Sequence, residues 1–340
     1  MQRLILVYNP RSSRYADVDR EVISRLRTMK GYTIGKYEVK PTNLDNNITN
    51  LSKLLRDGDL VLSAGGDATG IVASNGILKS GKDATLAALP YGNFNDLART
   101  LGTMKFEDVF DEGEHSGALD GRFEVVRDNG SEIASEPRND GRERSGPRTA
   151  RPSAKKFYPL EIYVDGKFYR YATCYVTIGM TAEAVQIYDS PKLRAKLKHG
   201  FGRKISSYTT LAGWYFKNRH KHVFIPEFSL NGKPQHIKTT DYAAVNGRSM
   251  ARVMKGGDDY KSPKYFRHET DRLASFYRLV KLMLRSIFSR IPGERTSADR
   301  LEFKTPSTVT LQAEGEYQVF KDVKTIEIKK GAKCLKVIHN

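Results

Sequence analysis

Three short apolar runs in the first hundred residues each stop abruptly in a loop of glycine, asparagine, serine or aspartate. Leu4-Ile-Leu-Val-Tyr8 runs into Asn9-Pro-Arg-Ser-Ser13, Leu60-Val-Leu-Ser63 into Gly65-Gly66, and Thr85 to Leu89 into Pro90 and Gly92. A run without polar alternation is the pattern of a strand covered on both faces. After the first loop, Val18, Val22, Leu26 and Met29 recur on one helical face. Strands alternating with helices predict a parallel, Rossmann-like sheet, in which ligands bind at the carboxyl ends of the strands. All three loops belong to that end.

The chain is 340 residues long, which suits two domains each with its own core. Hydrophobic residues at 39% against 28% charged exclude wholesale disorder and a fibrous repeat. Composition changes sharply at Arg127–Lys156, where Ile133 is the single large aliphatic residue and aromatics are missing. Such a stretch cannot bury enough apolar surface to offset its ordering entropy and reads as a disordered insertion.

Beyond it, Leu160 to Val164, Asp165-Gly166 and Lys167 to Ile178 read as strand, turn and strand, a hairpin signal. Further strand-like pieces are Val223–Leu230 before Asn231-Gly232, Tyr242–Val245, Ser307–Gln312 and Lys324–Ile328. The fold class is therefore α/β plus all-β. A parallel-sheet N-terminal domain spans residues 1–122, and a β-sandwich spans 157–325. A C-terminal segment, 326–340, can pack back on the first domain. Between Arg272 and Ile291 apolar residues at helical spacing alternate with Arg and Lys, a basic helix that packs on its own sheet or lies at a membrane surface.

With 57 Lys and Arg against 39 Asp and Glu, the net charge is +18. Such a field draws nucleic acid, anionic lipid or phosphorylated small molecules. Nucleic acid is not expected as a partner, since no helix-turn-helix, RNA-recognition or zinc pattern accompanies the charge. Two cysteines, Cys174 and Cys334, make neither a disulfide framework nor a four-thiolate zinc site, so a reducing cytoplasm is the default. Leu4–Tyr8 is too short for a secretory signal, and no apolar run approaches the roughly 18 residues needed to cross a bilayer.

The loops carry the chemistry. Backbone N–H groups at a helix start after Asn9–Ser13 favour phosphate. Gly65-Gly66-Asp67-Ala68-Thr69 lets a ligand lie against the backbone, sets the Asp67 carboxylate beside it, as a Mg²⁺–nucleotide complex requires, and offers the Thr69 hydroxyl. Pro90-Tyr91-Gly92-Asn93-Phe94-Asn95-Asp96-Leu97-Ala98-Arg99 repeats the pattern, with Asn95-Asp96 at a helix start.

Together, Asn9-Pro10, Gly65–Thr69, Pro90–Arg99 and a late Glu314-Gly315-Glu316 resemble the diacylglycerol kinase catalytic-domain superfamily, which includes bacterial lipid kinases and sphingosine kinases. The resemblance covers nearly the whole chain apart from the insertion. It implies ATP- and Mg²⁺-dependent phosphorylation of a diacylglycerol- or sphingoid-like lipid hydroxyl, in the cytoplasm at an anionic membrane surface. A homodimer is compatible with it. Carried over, Asn9, Gly65, Gly66, Thr69, Gly92, Asn95 and Asp96 hold nucleotide or shape its site. Asp67 organises Mg²⁺ and phosphates. Glu314 takes the place of the family's hydroxyl-activating Asp, and Glu316 that of the adjacent carboxylate close to metal. Asp120, with Glu161 as a rival, matches an acidic residue linked to Asp67, and Lys198 and Arg203 match triphosphate contacts.

The chain departs from the family pattern at Ala68, a Gly elsewhere, at Asn93 and Phe94, and at Ile71-Val72, where Asn-Glu is common. If position 68 requires a positive φ, alanine strains it. These departures define the alternative, a catalytically weak member acting as a nucleotide- or lipid-binding regulatory module. A soluble NAD kinase shares the glycine-Asp loop, but Asn9-Pro10 and Asn95–Arg99 favour the lipid branch.

Overall fold

The computed structural model describes residues 2–12, 14–40, 43–92, 95–110, 154–179, 182–183, 213, 216–217, 228–235, 241–250, 254–255, 259–271, 294–304 and 308–339. Asn93, Phe94, Asp120, Lys198, Arg203, the basic helix read over 272–291 and nearly all of the insertion read over 127–156 lie outside them. The chain forms two compact units, Met1–Phe157 with Lys333–Asn340, and Tyr158–Ala332.

In the first unit β1 (Gln2–Tyr8), β2 (Tyr32–Glu38), β3 (Leu60–Gly65) and β4 (Thr85–Pro90) run parallel in the order β2-β1-β3-β4. The sheet continues with the strand Leu335–Ile338, parallel to β4, and then β5 (Ala154–Phe157), antiparallel to that strand. Leu4 to Val7 are at most 3% exposed, as expected of a strand covered on both faces. On one face Leu4, Leu6, Ile34 and Leu62 pack with Val18, Val22 and Leu26. These three project from the helical stretch after the first loop, whose middle turn, Asp19–Ile23, is π-helical.

The helices Leu44–Leu54 and Asp67–Ser80 pack closely together. A Cβ added to Gly76 would lie 2.8 Å from Leu51 Cδ2. Asn43 caps the first, its Oδ1 accepting the Asp45 N–H at 2.8 Å. The second is buried continuously from Thr69 to Leu78. Ile71 and Val72, where the family carries polar residues, sit in this core at 1% and 0% exposure.

The second unit begins with β6 (Leu160–Val164), β7 (Lys167–Ala172) and β8 (Tyr175–Gly179). Then come β9 (Phe228–Leu230), β10 (Lys233–Gln235), β11 (Asp241–Val245), β12 (Ser249–Met250) and β13 (Met254–Lys255). It closes with β14 (Phe266–Asp271), β15 (Glu294–Ala298), β16 (Arg300–Lys304), β17 (Thr308–Ala313), β18 (Glu316–Lys321) and β19 (Thr325–Lys330). Two antiparallel sheets result, ordered β10-β9-β16-β19-β6-β7 and β15-β14-β11-β8-β17-β18. Leu160, Ile162, Leu301, Phe303, Ile326 and Ile328 of the first meet Val176, Ile178, Tyr242, Val309 and Leu311 of the second in one core. The described residues are thus α/β plus all-β.

The hairpins at Asp165-Gly166 and Asn231-Gly232 have φ of 48° and 74°, and 53° and 75°. Such left-handed pairs match the strand twist and suit Asx-Gly. The single strand expected over Lys167–Ile178 is instead two. It breaks at Thr173-Cys174, and its halves join different sheets, β7 at an edge and β8 in the interior. The expected C-terminal segment also divides differently. Thr325–Lys330 lies between β16 and β6 in the sandwich, and the chain enters the first unit from Lys333. Among the described residues no helix is long and apolar enough to cross a membrane.

Candidate functional site: three loops at one end of the parallel sheet

The loops that follow β1, β3 and β4 touch one another. Ser12 Oγ donates to the Tyr91 carbonyl at 3.5 Å, and Arg14 Nη1 to the Pro90 carbonyl at 3.0 Å. The Arg14 guanidinium lies 5.5 Å from the centroid of the Tyr91 ring, whose hydroxyl donates to Glu21 at 3.0 Å. Asn9 spends its side chain locally, its Oδ1 accepting the Arg11 N–H at 2.9 Å in an Asx turn. It shapes the loop.

The second and third loops meet backbone to backbone. A Cβ on Gly92 would fall 2.1 Å from the Gly66 Cα, a position closed to any other residue. On Gly65 it would fall 2.4 Å from the hydroxyl of Thr69, which is 2% exposed. Gly66 precedes the Asp67–Ser80 helix in an extended conformation (φ −92°, ψ −167°). The first N–H groups of that helix lack partners within it and carry the positive end of its dipole, which favours an anion. Ala68 belongs to the first helical turn and is not among the positive-φ residues. The strain anticipated at this position does not arise.

Asn95 is left-handed (φ 58°), a conformation Asn tolerates better than most residues. Its Oδ1 accepts the Gly92 N–H at 2.7 Å, and its Nδ2 donates to the Gly92 carbonyl at 2.9 Å and the Pro90 carbonyl at 3.3 Å. The amide thus braces the loop from within. Asp67 Oδ1 accepts the Asp96 N–H at 2.7 Å, joining the glycine loop to the helix Asp96–Thr100. Burial first, and the Asp96 carboxylate second, push the Asp67 carboxyl up to about 7, against opposing backbone hydrogen bonds. Asp96 itself is 1% exposed. Two neighbouring carboxyl groups, one raised by the other's charge, are hard oxygen donors of the kind Mg²⁺ takes alongside phosphate oxygens and water. Among the described residues no cluster of three or more His, Cys, Asp or Glu gathers as a ready-made metal cage.

In the second unit Glu314-Gly315 forms the turn of the β17–β18 hairpin, with φ of 52° and 89°. Glutamate has no side-chain route to favour this conformation, so strain is held there. Glu314 is 4% exposed, and its Oε1 accepts both the Thr173 hydroxyl and the Cys174 N–H. Glu316, at the head of β18, is only partly buried. Glu161 is used within its own unit. Its carboxylate accepts the Tyr163 hydroxyl at 2.8 Å and the Ala332 N–H at 3.2 Å.

The structure therefore brings Asn9, Gly65, Gly66, Asp67, Thr69, Gly92, Asn95 and Asp96 to one end of one sheet, and Glu314 and Glu316 to one hairpin. Sequence reasoning missed Ser12, Arg14 and Tyr91 as the braces of the loops. It also missed Thr173 and Cys174, which bind the Glu314 carboxylate. Thr173-Cys174 sits in an unbroken strand-like run with no Gly or Pro to mark it.

Residues 3–117 match the family model of the diacylglycerol kinase catalytic domain. A diacylglycerol kinase of Bacillus subtilis (strain 168) is 31% identical over 113 residues, 32% of this chain and 36% of the relative, so the match spans little more than a third of that protein. Among solved structures, a diacylglycerol kinase from Bacillus anthracis str. Sterne aligns with 100% of this chain and 97% of its own at a TM-score of 0.57 and 12% identity. A second crystal structure from that organism, provisionally named a diacylglycerol kinase, gives 0.62 and 13% over the same shares. At such identities the likeness is one of fold. Residues 3–117 thus match the diacylglycerol kinase catalytic domain, and the fold of the chain is like that of proteins bearing that name.

Proposed function

We propose that this protein is a lipid kinase that transfers the γ-phosphoryl group of ATP to the hydroxyl of a diacylglycerol- or sphingoid-like lipid at a membrane surface. One observation carries the reading. Three loops converge at the carboxyl end of a parallel sheet, two of them in glycine-only backbone contact, with Asp67 at the helix start between them. Phosphoryl transfer asks chiefly for positioning and for neutralisation of spreading charge. The N–H groups of the Asp67–Ser80 helix start take phosphate oxygens, and Gly66 and Gly92 let the chain approach them. Asp67, with Asp96 beside it, would hold Mg²⁺, which would supply positive charge against the phosphate oxygens.

Of the two glutamates in the β17–β18 hairpin, Glu314 would accept the alcohol's proton, and Glu316, only partly buried, would stand close to the metal. The Thr173 hydroxyl and the Cys174 N–H fix the Glu314 carboxylate by hydrogen bonds. The +18 charge suits an anionic bilayer, at about 1 kcal/mol for each well-placed Lys or Arg. The test is a panel of lipid alcohols in anionic vesicles with labelled ATP and Mg²⁺. Label enters a lipid with the native protein and not with Asp67→Ala. Normal ATP binding with no lipid labelled would overturn the kinase and leave the regulatory module.

A further inference from the structure

Lys330 and Glu314 lie buried in the second unit, and a file of amide groups connects them. Lys330 ends β19 and is 9% exposed. Its Nζ donates to Asn246 Oδ1. Asn246, which directly follows β11, is fully buried. Its Nδ2 donates to the Thr173 carbonyl at 2.7 Å and to the Tyr158 carbonyl at 2.9 Å. Two carbonyl partners fix which end of the amide is nitrogen, since only Nδ2 can donate. The peptide whose oxygen is Thr173 O has Cys174 N–H as its other end, and that N–H donates to Glu314 Oε1. The path runs Lys330 ammonium, Asn246 amide, 173–174 peptide, Glu314 carboxylate.

Every donor along this path points from the cation toward the anion. The dipoles therefore align, and in a low-dielectric interior each bond polarises the next. Two buried charges that would each be costly alone are compensated through the chain. The next peptide is clamped as well. Cys174 O accepts the Asn246 N–H at 2.7 Å and the Gly247 N–H at 2.8 Å. This is the point where the chain leaves one sheet for the other, and a rigid break there fixes what it holds. It holds Glu314, in the strained left-handed turn two residues before Glu316.

We propose that Asn246 and Lys330 are positioning residues. Through the 173–174 peptide they hold the Glu314 carboxylate and lock its turn, and so set the hairpin's acidic pair for the acceptor hydroxyl. The inference rests on the lipid-kinase reading and names residues outside the loops and acidic pair assigned above.

The test compares Asn246→Asp, Lys330→Met and Lys330→Arg in the full chain. The aspartate still accepts from Lys330 but cannot donate to Thr173, and the methionine keeps the apolar stem without the charge. In both, hydrogen exchange at the Cys174 amide should quicken at least about tenfold. Lipid phosphorylation should lose about 10- to 100-fold in kcat, with KM for ATP within about twofold, because a misaimed group costs rate rather than nucleotide binding. Lys330→Arg should restore both readouts. Folded Lys330→Met with native exchange at Cys174 and native kcat would overturn the proposal, even if Asn246→Asp fails to fold. Faster exchange with unchanged kcat would reduce the chain to a structural role and overturn it too. A wild-type protein that phosphorylates no lipid sinks the kinase reading, while the exchange rates still decide whether the chain holds Glu314.

Discussion

Replacing Asp67 by asparagine should stabilise the nucleotide-free protein, and the gain should grow with pH. The folded protein holds this carboxyl at about 7, against 3.8 for an ordinary aspartate, through burial and the nearby Asp96 charge. A carboxyl raised on folding adds stability that is fully present below pH 3.8 and is lost as pH climbs through 7. Each pKa unit is worth about 1.4 kcal/mol, so the ionised Asp67 costs at most about 4 kcal/mol above neutrality. Partial exposure of the side chain and relaxation around it trim this to roughly 2–3 kcal/mol. Asparagine keeps an oxygen for the Asp96 N–H, so the loop junction survives the change.

The assay is thermal unfolding of both proteins at pH 4.5 and pH 7.5 without nucleotide or divalent cation. Groups shared by the two proteins cancel in the difference. At pH 7.5 the variant's first unit should melt roughly 4–12 °C higher, taking about 2–4 °C per kcal/mol for a unit of this size. At pH 4.5 most of that advantage should disappear. A difference that is the same at both pH values would mean that Asp67 does not titrate in this window.

Other expectations follow from the same loops and sheet. Gly92→Ala should lose at least about 3 kcal/mol and nucleotide binding, because the added Cβ collides with the Gly66 backbone. Gly213→Ala, where a Cβ meets nothing within 4 Å, is the control and should change chemical denaturation midpoints little. Asn95→Ala should lose about 2–3 kcal/mol by combining a strained φ with the loss of the Gly92 brace. Asn95→Gly removes only the brace and should recover about 1 kcal/mol of that by the same assay. Deleting residues 333–340 removes the strand between β4 and β5. Amide exchange along β4 should then rise sharply while β3 stays protected.

Strands covered on both faces were plain in the amino-acid order. β1, β3 and β4 are continuous apolar runs, and the Asp-Gly and Asn-Gly turns announced their hairpins. β2 was hidden because it is an edge strand. Of Tyr32-Thr-Ile-Gly-Lys-Tyr-Glu38, only Ile34, Gly35 and Tyr37 are buried, and no run marks it. The break at Thr173-Cys174 was equally silent, because it is imposed from outside by Glu314 and Asn246 and not by a local breaker. β16, Arg300-Leu-Glu-Phe-Lys304, buries only Leu301 and Phe303 between charges. At the site, residue types were legible but their tasks were not. Asn9 and Asn95 read in the sequence as holding nucleotide or shaping its site, and their amides hydrogen-bond within their own loops. Ala68 looked like a strained substitution and is an ordinary helical residue.

Adding ATP with Mg²⁺ to isotope-labelled protein and following each backbone amide probes all three loops at once. The largest perturbations should fall on Asn9–Ser12, Gly65–Thr69 and Gly92–Asp96, and should vanish in Gly92→Ala. Saturating nucleotide that leaves those three stretches unmoved, or that acts on the opposite end of the sheet, would contradict nucleotide binding by these loops.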